Sequence, residues 1–202
     1  MRKKTLMILA LAVAGCFAAG AQTARKVVDK VIAAYETSGG IEATYVVKSI
    51  EGTASGTIAM SGEKFRILSD ALKSWYDGTT QWSYSKMTGE VNITTPTSDE
   101  LLTTSPYLAI TTLKSTSKLT LNKVDDTYVV AFKPRTSESV SSVSITVDAS
   151  TYQIQKAVFT LSDKTTCTTT IKNYVTGMNY EDETFVFDKS LVPDDAQVVD
   201  LR

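Results

Sequence analysis

Between Phe65 and Ile93 apolar and polar residues alternate in short runs divided by turn residues. A period of two puts every second side chain on one face of a strand. Trp75, Trp82, Tyr84, Val91 and Ile93 recur at alternate positions within their own runs, and Asp77-Gly78 is a hairpin signal between two of them. The pattern extends in both directions. Ile41 to Ile50 and Ala54 to Met60 precede this stretch, and Lys118 to Val124, Tyr128 to Lys133, Val143 to Val147, Tyr152 to Leu161 and Lys164 to Tyr174 follow it. Short polar turns join neighbouring runs, so the simplest arrangement is an antiparallel meander. Glu183 to Phe187 and Gln197 to Leu201 are short terminal pieces.

Two segments break the alternation. Thr23 to Thr37 places Val27, Val28, Val31, Ile32 and Tyr35 on one side of an amphipathic helix, with Thr23 as a cap and Gly39-Gly40 as its stop. After Pro96, the pieces around Leu101-Leu102 and Tyr107-Leu108 read as two short helices separated by Pro106. Thr97 or Ser98 caps the first, with Asp99 and Glu100 in its first turn. The expected fold is mainly β within an α+β class. About ten strands form a strongly curved antiparallel sheet, a half-open barrel covered by the N-terminal helix and the central insert. Its concave face is either filled as a plain core or left as an apolar cavity.

Composition narrows the function. The chain has 202 residues and a formal charge of -1, which gives no electrostatic footprint for nucleic acid. It has no histidine, which removes His-activated nucleophiles, His bases and His metal ligands. Carboxylate pairs such as Asp125-Asp126 and Asp194-Asp195 lie in polar turns, away from the aromatic runs. No catalytic, cofactor or metal site is expected. Of the two cysteines, Cys167 has no base to activate it and reads as a packed thiol.

Residues 1–21 read as an export signal: Arg2, Lys3 and Lys4, an apolar middle, then the A-x-A site Ala19-Gly20-Ala21. Cleavage after Ala21 leaves a single domain over 22–202 with 18 basic and 22 acidic residues, a formal charge of -4. Val13-Ala14-Gly15-Cys16 also resembles a lipobox, in which case Cys16 is acylated and anchors the protein in the outer membrane.

The order of these features resembles the periplasmic lipoprotein carrier family LolA. The resemblance runs through the leader, the helix around Val27 to Val31, Gly56-Thr57-Ile58, Phe65-Arg66, and Tyr76 to Tyr84, which is similar to the family's DGKxLWxY segment. It continues in the insert after Pro96, in Phe185-Val186-Phe187 and in Asp195 to Val199. One departure stands out. The family's Arg-Pro pair before the strand at Phe65, which helps couple lid closure to release, is missing from Met60-Ser61-Gly62-Glu63-Lys64.

The resemblance implies a periplasmic chaperone that shields the acyl chains of lipoproteins and moves them toward the outer membrane. Its partners are then acylated lipoproteins and an inner-membrane release complex, and the protein is a monomer. The alternative on the same fold is an anchored lipoprotein receptor or lipid sensor. Candidate cavity residues are Ile58, Met60, Phe65, Ile67, Trp75, Trp82, Tyr84, Val91, Ile93, Tyr128, Val130 and Phe132. Leu101, Leu102, Tyr107 and Leu108 are candidate lid residues. Each has a competing reading as ordinary core, because alternation fixes a face and not a space.

Overall fold

A computed structural model describes residues 23–202 other than 103 and 138. The leader, with Cys16 and the cleavage site, lies outside the described residues. The chain starts with helix α1 (23–36), followed by six strands: β1 (Gly40–Ser49), β2 (Gly52–Ser61), β3 (Lys64–Ser69), β4 (Leu72–Tyr76), β5 (Gln81–Ser85) and β6 (Glu90–Thr94). The insert is α2 (Ser98–Leu101) and α3 (Pro106–Thr116). Five more strands follow: β7 (Ser117–Val124), β8 (Thr127–Pro134), β9 (Val140–Asp148), β10 (Ile154–Leu161) and β11 (Thr166–Met178). Two short 3-10 turns then lead to β12 (Gln197–Asp200).

The twelve strands of the described residues belong to one sheet in the order β12-β6-β5-β4-β3-β2-β1-β11-β10-β9-β8-β7. It is long, curved and unclosed, mostly strand with a few helices, as the alternation predicts. Two hairpin ladders, β1–β6 and β7–β11, are joined edge to edge by the β1–β11 pair. β12 differs from the expected meander because it pairs with β6 in parallel. Glu183 to Phe187, expected as a short terminal piece, overlaps a 3-10 turn over Asp182–Phe185.

The sheet's inner face holds most of the core. α1 buries Ala24, Val27, Val28 and Val31, and α3 buries Ala109, Ile110 and Leu113, against Val130, Phe132, Val143, Ile145, Ala157 and Phe159. A second cluster joins Tyr35, Leu101 and Leu108 to Ile41, Ala43, Ile58, Met60, Phe65 and Ile67. The insert therefore spans both clusters. It is capped as a box: the Thr97 amide donates to Glu100 Oε2 at 2.6 Å while Thr97 Oγ1 accepts from the Glu100 amide. The Thr97 amide and hydroxyl hold the Glu100 carboxyl below the usual carboxylate range. Lys114 of α3 pairs with Asp29 of α1 at 2.5 Å, tying the two helices together.

Cross-strand register decides the faces. Phe65 pairs with Tyr76 and Ile67 with Ser74, so Trp75 falls on the side opposite Phe65 and Ile67. Trp75 pairs with Trp82, Trp82 with Ile93, and Tyr84 with Val91, which puts all five on the outer face. There Trp75, Tyr84 and Val91 form a third cluster with Val192, flanked by Leu68, Trp82, Phe187, Leu191 and Ala196. The C-terminal segment covers this face, with Phe187 edge-on to Trp75 at a centroid distance of 5.4 Å. Lys73 donates a hydrogen bond to the Leu191 carbonyl.

Trp75 is fully buried, so Trp75→Ala should cost roughly 3–5 kcal/mol. Urea unfolding will measure this, and hydrogen exchange should show the amides of 187–196 loosening first. An unchanged midpoint would mean that the segment does not depend on this aromatic face.

Candidate functional site

A cavity of about 190 Å³ lies against the inner face. Its walls come from Tyr45 and Val47 of β1, Ile58 of β2, Ile67 of β3, Leu72 of β4, and Phe159, Thr169 and Ile171 of β10 and β11. Thr104, between α2 and α3, completes the lining from the insert. Among the described residues no Asp, Glu, Lys or Arg lines it. Leu72 is 42% exposed while Ile58 is 5% exposed, so the cavity deepens from a mouth at β4 toward β2. Gly56 makes room for one wall: a Cβ there would lie 2.1 Å from the Leu68 carbonyl oxygen and 2.9 Å from the Tyr45 hydroxyl.

A smaller space of about 60 Å³ lies beyond it, between α1, α3 and the β9–β11 side. Val31, Tyr35, Met60, Tyr107 and Ile110 line it, and Ile171 lines both spaces. Tyr35 and Tyr107 stack there, with centroids 4.0 Å apart. The Tyr35 hydroxyl donates to the Gly62 carbonyl at 2.6 Å, and the Tyr107 hydroxyl donates to Glu36 Oε1 at 3.2 Å. Burial, with Tyr107 and Tyr174 beside it, pushes the Tyr35 hydroxyl far above its ordinary pKa, so it stays a donor. Burial also raises Tyr174, to about 12.

The candidate residues thus divide into four groups. Ile58 and Ile67 line the larger cavity, and Met60 and Tyr107 the smaller one. Phe65, Val130 and Phe132 are fully packed core, and Tyr128 packs at its edge. Leu101, Leu102 and Leu108 are buried between insert and sheet. Trp75, Trp82, Tyr84, Val91 and Ile93 are a correction: they cannot share a wall with Ile58 and Ile67, because the pairing of β3 with β4 turns them outward. Of the larger cavity's lining, the sequence reading missed Tyr45, Val47, Leu72, Thr104, Phe159, Thr169 and Ile171. For four of them the signal was the alternation of Tyr45 with Val47 and of Thr169 with Ile171, two runs that β1–β11 pairing brings side by side.

Among the described residues no group of His, Cys, Asp and Glu side chains is placed to hold a metal ion. None of their helices is long and apolar enough to cross a membrane. Half-buried Cys167 has its thiol pKa pushed up by burial, away from the reactive thiolate.

The model of the family described as outer membrane lipoprotein carrier protein LolA matches residues 14–161, well over half of the chain. This chain belongs to that family. The match ends at Leu161, so β11 and the C-terminal cover of the outer aromatic face lie beyond it. Membership supports a lipoprotein-binding or carrying role. An uncharacterized conserved protein from Thermus thermophilus superposes with a TM-score of 0.60 at 13% identity, covering 88% of this chain and 99% of its own. A DUF1329 family protein from Desulfovibrio piger gives 0.53 at 11% identity, covering 86% and 99%. At such identities the likeness is one of fold. No curated protein matches the chain at a significant level.

Tyr35→Phe keeps the stack on Tyr107 but removes the donor to Gly62. The expected cost is about 1 kcal/mol, together with faster hydrogen exchange in α3. Unchanged exchange across 106–116 would show that this contact does not hold the insert down.

Proposed function

We propose that this protein is an exported carrier that shields the acyl chains of lipoproteins on the sheet's inner face and moves them toward the outer membrane. The observation that supports this most is the cavity of about 190 Å³ walled by apolar side chains, in a chain of the LolA family. Shielding is the physical task, since each methylene removed from water is worth roughly 0.8 kcal/mol. Apolar walls do this without directional bonds, which lets a carrier release what it holds. Residues 22–202 act in this reading as one lipid-binding unit without catalytic activity, and as a monomer. Lipoproteins are received from an inner-membrane release complex.

Size sets a condition on the mechanism. An apolar cavity of about 150 Å³ holds a benzene-sized ligand. The present cavity therefore takes part of one acyl chain, and a complete lipid anchor needs the insert to move. α2 and α3 are the elements suited to this, because Leu101, Leu102, Tyr107 and Leu108 lie between the sheet and solvent on a short capped segment. In the family the Arg-Pro pair participates in this coupling. Here the neighbouring Gly62 carbonyl is instead held by Tyr35.

A second reading follows from Val13-Ala14-Gly15-Cys16: a receptor anchored through Cys16, using the same cavity. Mass spectrometry of the mature N-terminus separates the two. Gln22 as the first residue supports the shuttle, and a diacylglyceryl Cys16 supports the anchored receptor.

The cavity itself is tested with a lipoprotein released from membranes, which should form a one-to-one complex with this protein in gel filtration. Ile171→Trp puts an indole between the two spaces and should weaken a fluorescent fatty-acyl probe about tenfold, roughly 1.4 kcal/mol. If wild-type protein takes up neither lipoprotein nor probe, the carrier reading fails.

A further inference from the structure

The inner face does not stay apolar across the sheet. The register gives direct cross-strand rows, so the change can be followed outward from the cavity wall. Ile67 lines the cavity, and its row continues through Ser74, Ser83 and Asn92. Leu72 stands at the mouth, and its row continues through Ser85, Glu90 and Gln197. Gln81 and Thr94 pair between Tyr76 and the edge. Over β5 and β6 the inner face is therefore hydroxyl and amide, while their large apolar residues all point outward.

This polar shelf is partly self-satisfied. Gln81 Nε2 donates to Ser74 Oγ at 3.0 Å and to Ser83 Oγ at 3.1 Å, and the two serine hydroxyls lie 3.1 Å apart. That network fixes the inner end of the shelf next to buried Ser74. Farther out, the side chains of Ser85, Asn92 and Thr94 are half-buried. Among the described contacts they make no side-chain hydrogen bond. They offer hydroxyl and amide groups that donate and accept. Among the inner-facing residues of β1–β6 only Glu90 carries a charge, and it stands at the end of the shelf. The lysines and the arginine of β3 and β4, Lys64, Arg66 and Lys73, face outward by the same register.

We infer that the inner face binds amphiphiles as a unit: the chain enters the cavity past Leu72, and the head group lies along Ser83, Asn92 and Ser85. The head is uncharged or cationic and rich in hydroxyl, ester or amide groups. The strands of the shelf supply neutral donors and acceptors for such a head, and the lysine that follows Ser85, Lys86, is already paired with Asp70 at 2.8 Å. Glu90 repels a phosphate, sulfate or carboxylate. This inference rests on the proposed acyl-binding cavity and adds to it a rule of head-group selection.

Ligands of one chain length isolate the head. Dodecanol, dodecyl maltoside, dodecyltrimethylammonium and dodecanoate, each below its micelle concentration, compete against the fluorescent acyl probe on the full mature protein. The maltoside and the ammonium should compete about tenfold better than dodecanoate, the equivalent of one or two net hydrogen bonds or an unfavourable charge contact. Asn92→Leu should remove most of the maltoside's advantage over dodecanol. Glu90→Lys should invert the order of dodecanoate and the ammonium, with thermal unfolding confirming that both variants are folded. If all four ligands, dodecanol included, fail to displace the probe, the cavity reading falls and the head-group rule with it. If dodecanol competes but the four bind alike, and Glu90→Lys changes nothing, the head-group rule is wrong and the cavity reading stands.

Discussion

The β1–β11 pair holds this structure together. β1 is bonded to β2 along its full length through one edge, and to β11 through the other. Without it the chain would be two separate antiparallel ladders, β1–β6 and β7–β11, each with a half-covered face. With it, there is one curved surface on which α1 and the insert can settle. The same pair aligns Tyr45 with Ile171 and Val47 with Thr169, so the seam between the ladders is also a wall of the cavity. Register shifts interrupt the pair near Gly40 and Thr44, and irregularities of this kind increase local twist.

Covering the inner face divides the labour between the helices. α1 and α3 pack aliphatic residues over the β7–β10 side. Over β1–β4 the cover is thinner, and the cavity lies there under Thr104. The aromatic residues of β4–β6 are used on the other side, where they fix the C-terminal segment. The candidate site is thus set by which stretch of a single face is left more thinly covered.

Much of the architecture was legible in the sequence. The strand-rich class, the helix from residue 23, the capped insert after Pro96 and most turns follow from periodicity and from Gly, Pro, Asp and Thr at interruptions. The parallel pairing of β12 was not, because four residues of Gln197–Asp200 hold no information about direction. The lining of the site was only partly legible. Ile58 and Ile67 were in view because they alternate on apolar strands. Tyr45 and Phe159 were not, because their importance comes from strands about a hundred residues apart in the chain.

What the sequence by itself determined is which residues of a given strand share a side: Trp82 with Tyr84, Phe65 with Ile67, Tyr45 with Val47. That follows from backbone geometry and needs no partner. Which of those sets look the same way was decided only by tertiary structure. The β3–β4 turn pairs Phe65 with Tyr76, and this one-residue parity sends Trp75 outward and brings Ser74 in. A strand has two faces and a period of two, so a single residue of register exchanges them. The stripe of aromatics that dominates the sequence therefore became the base of the C-terminal cover. The quieter residues opposite it became the cavity wall and its polar margin.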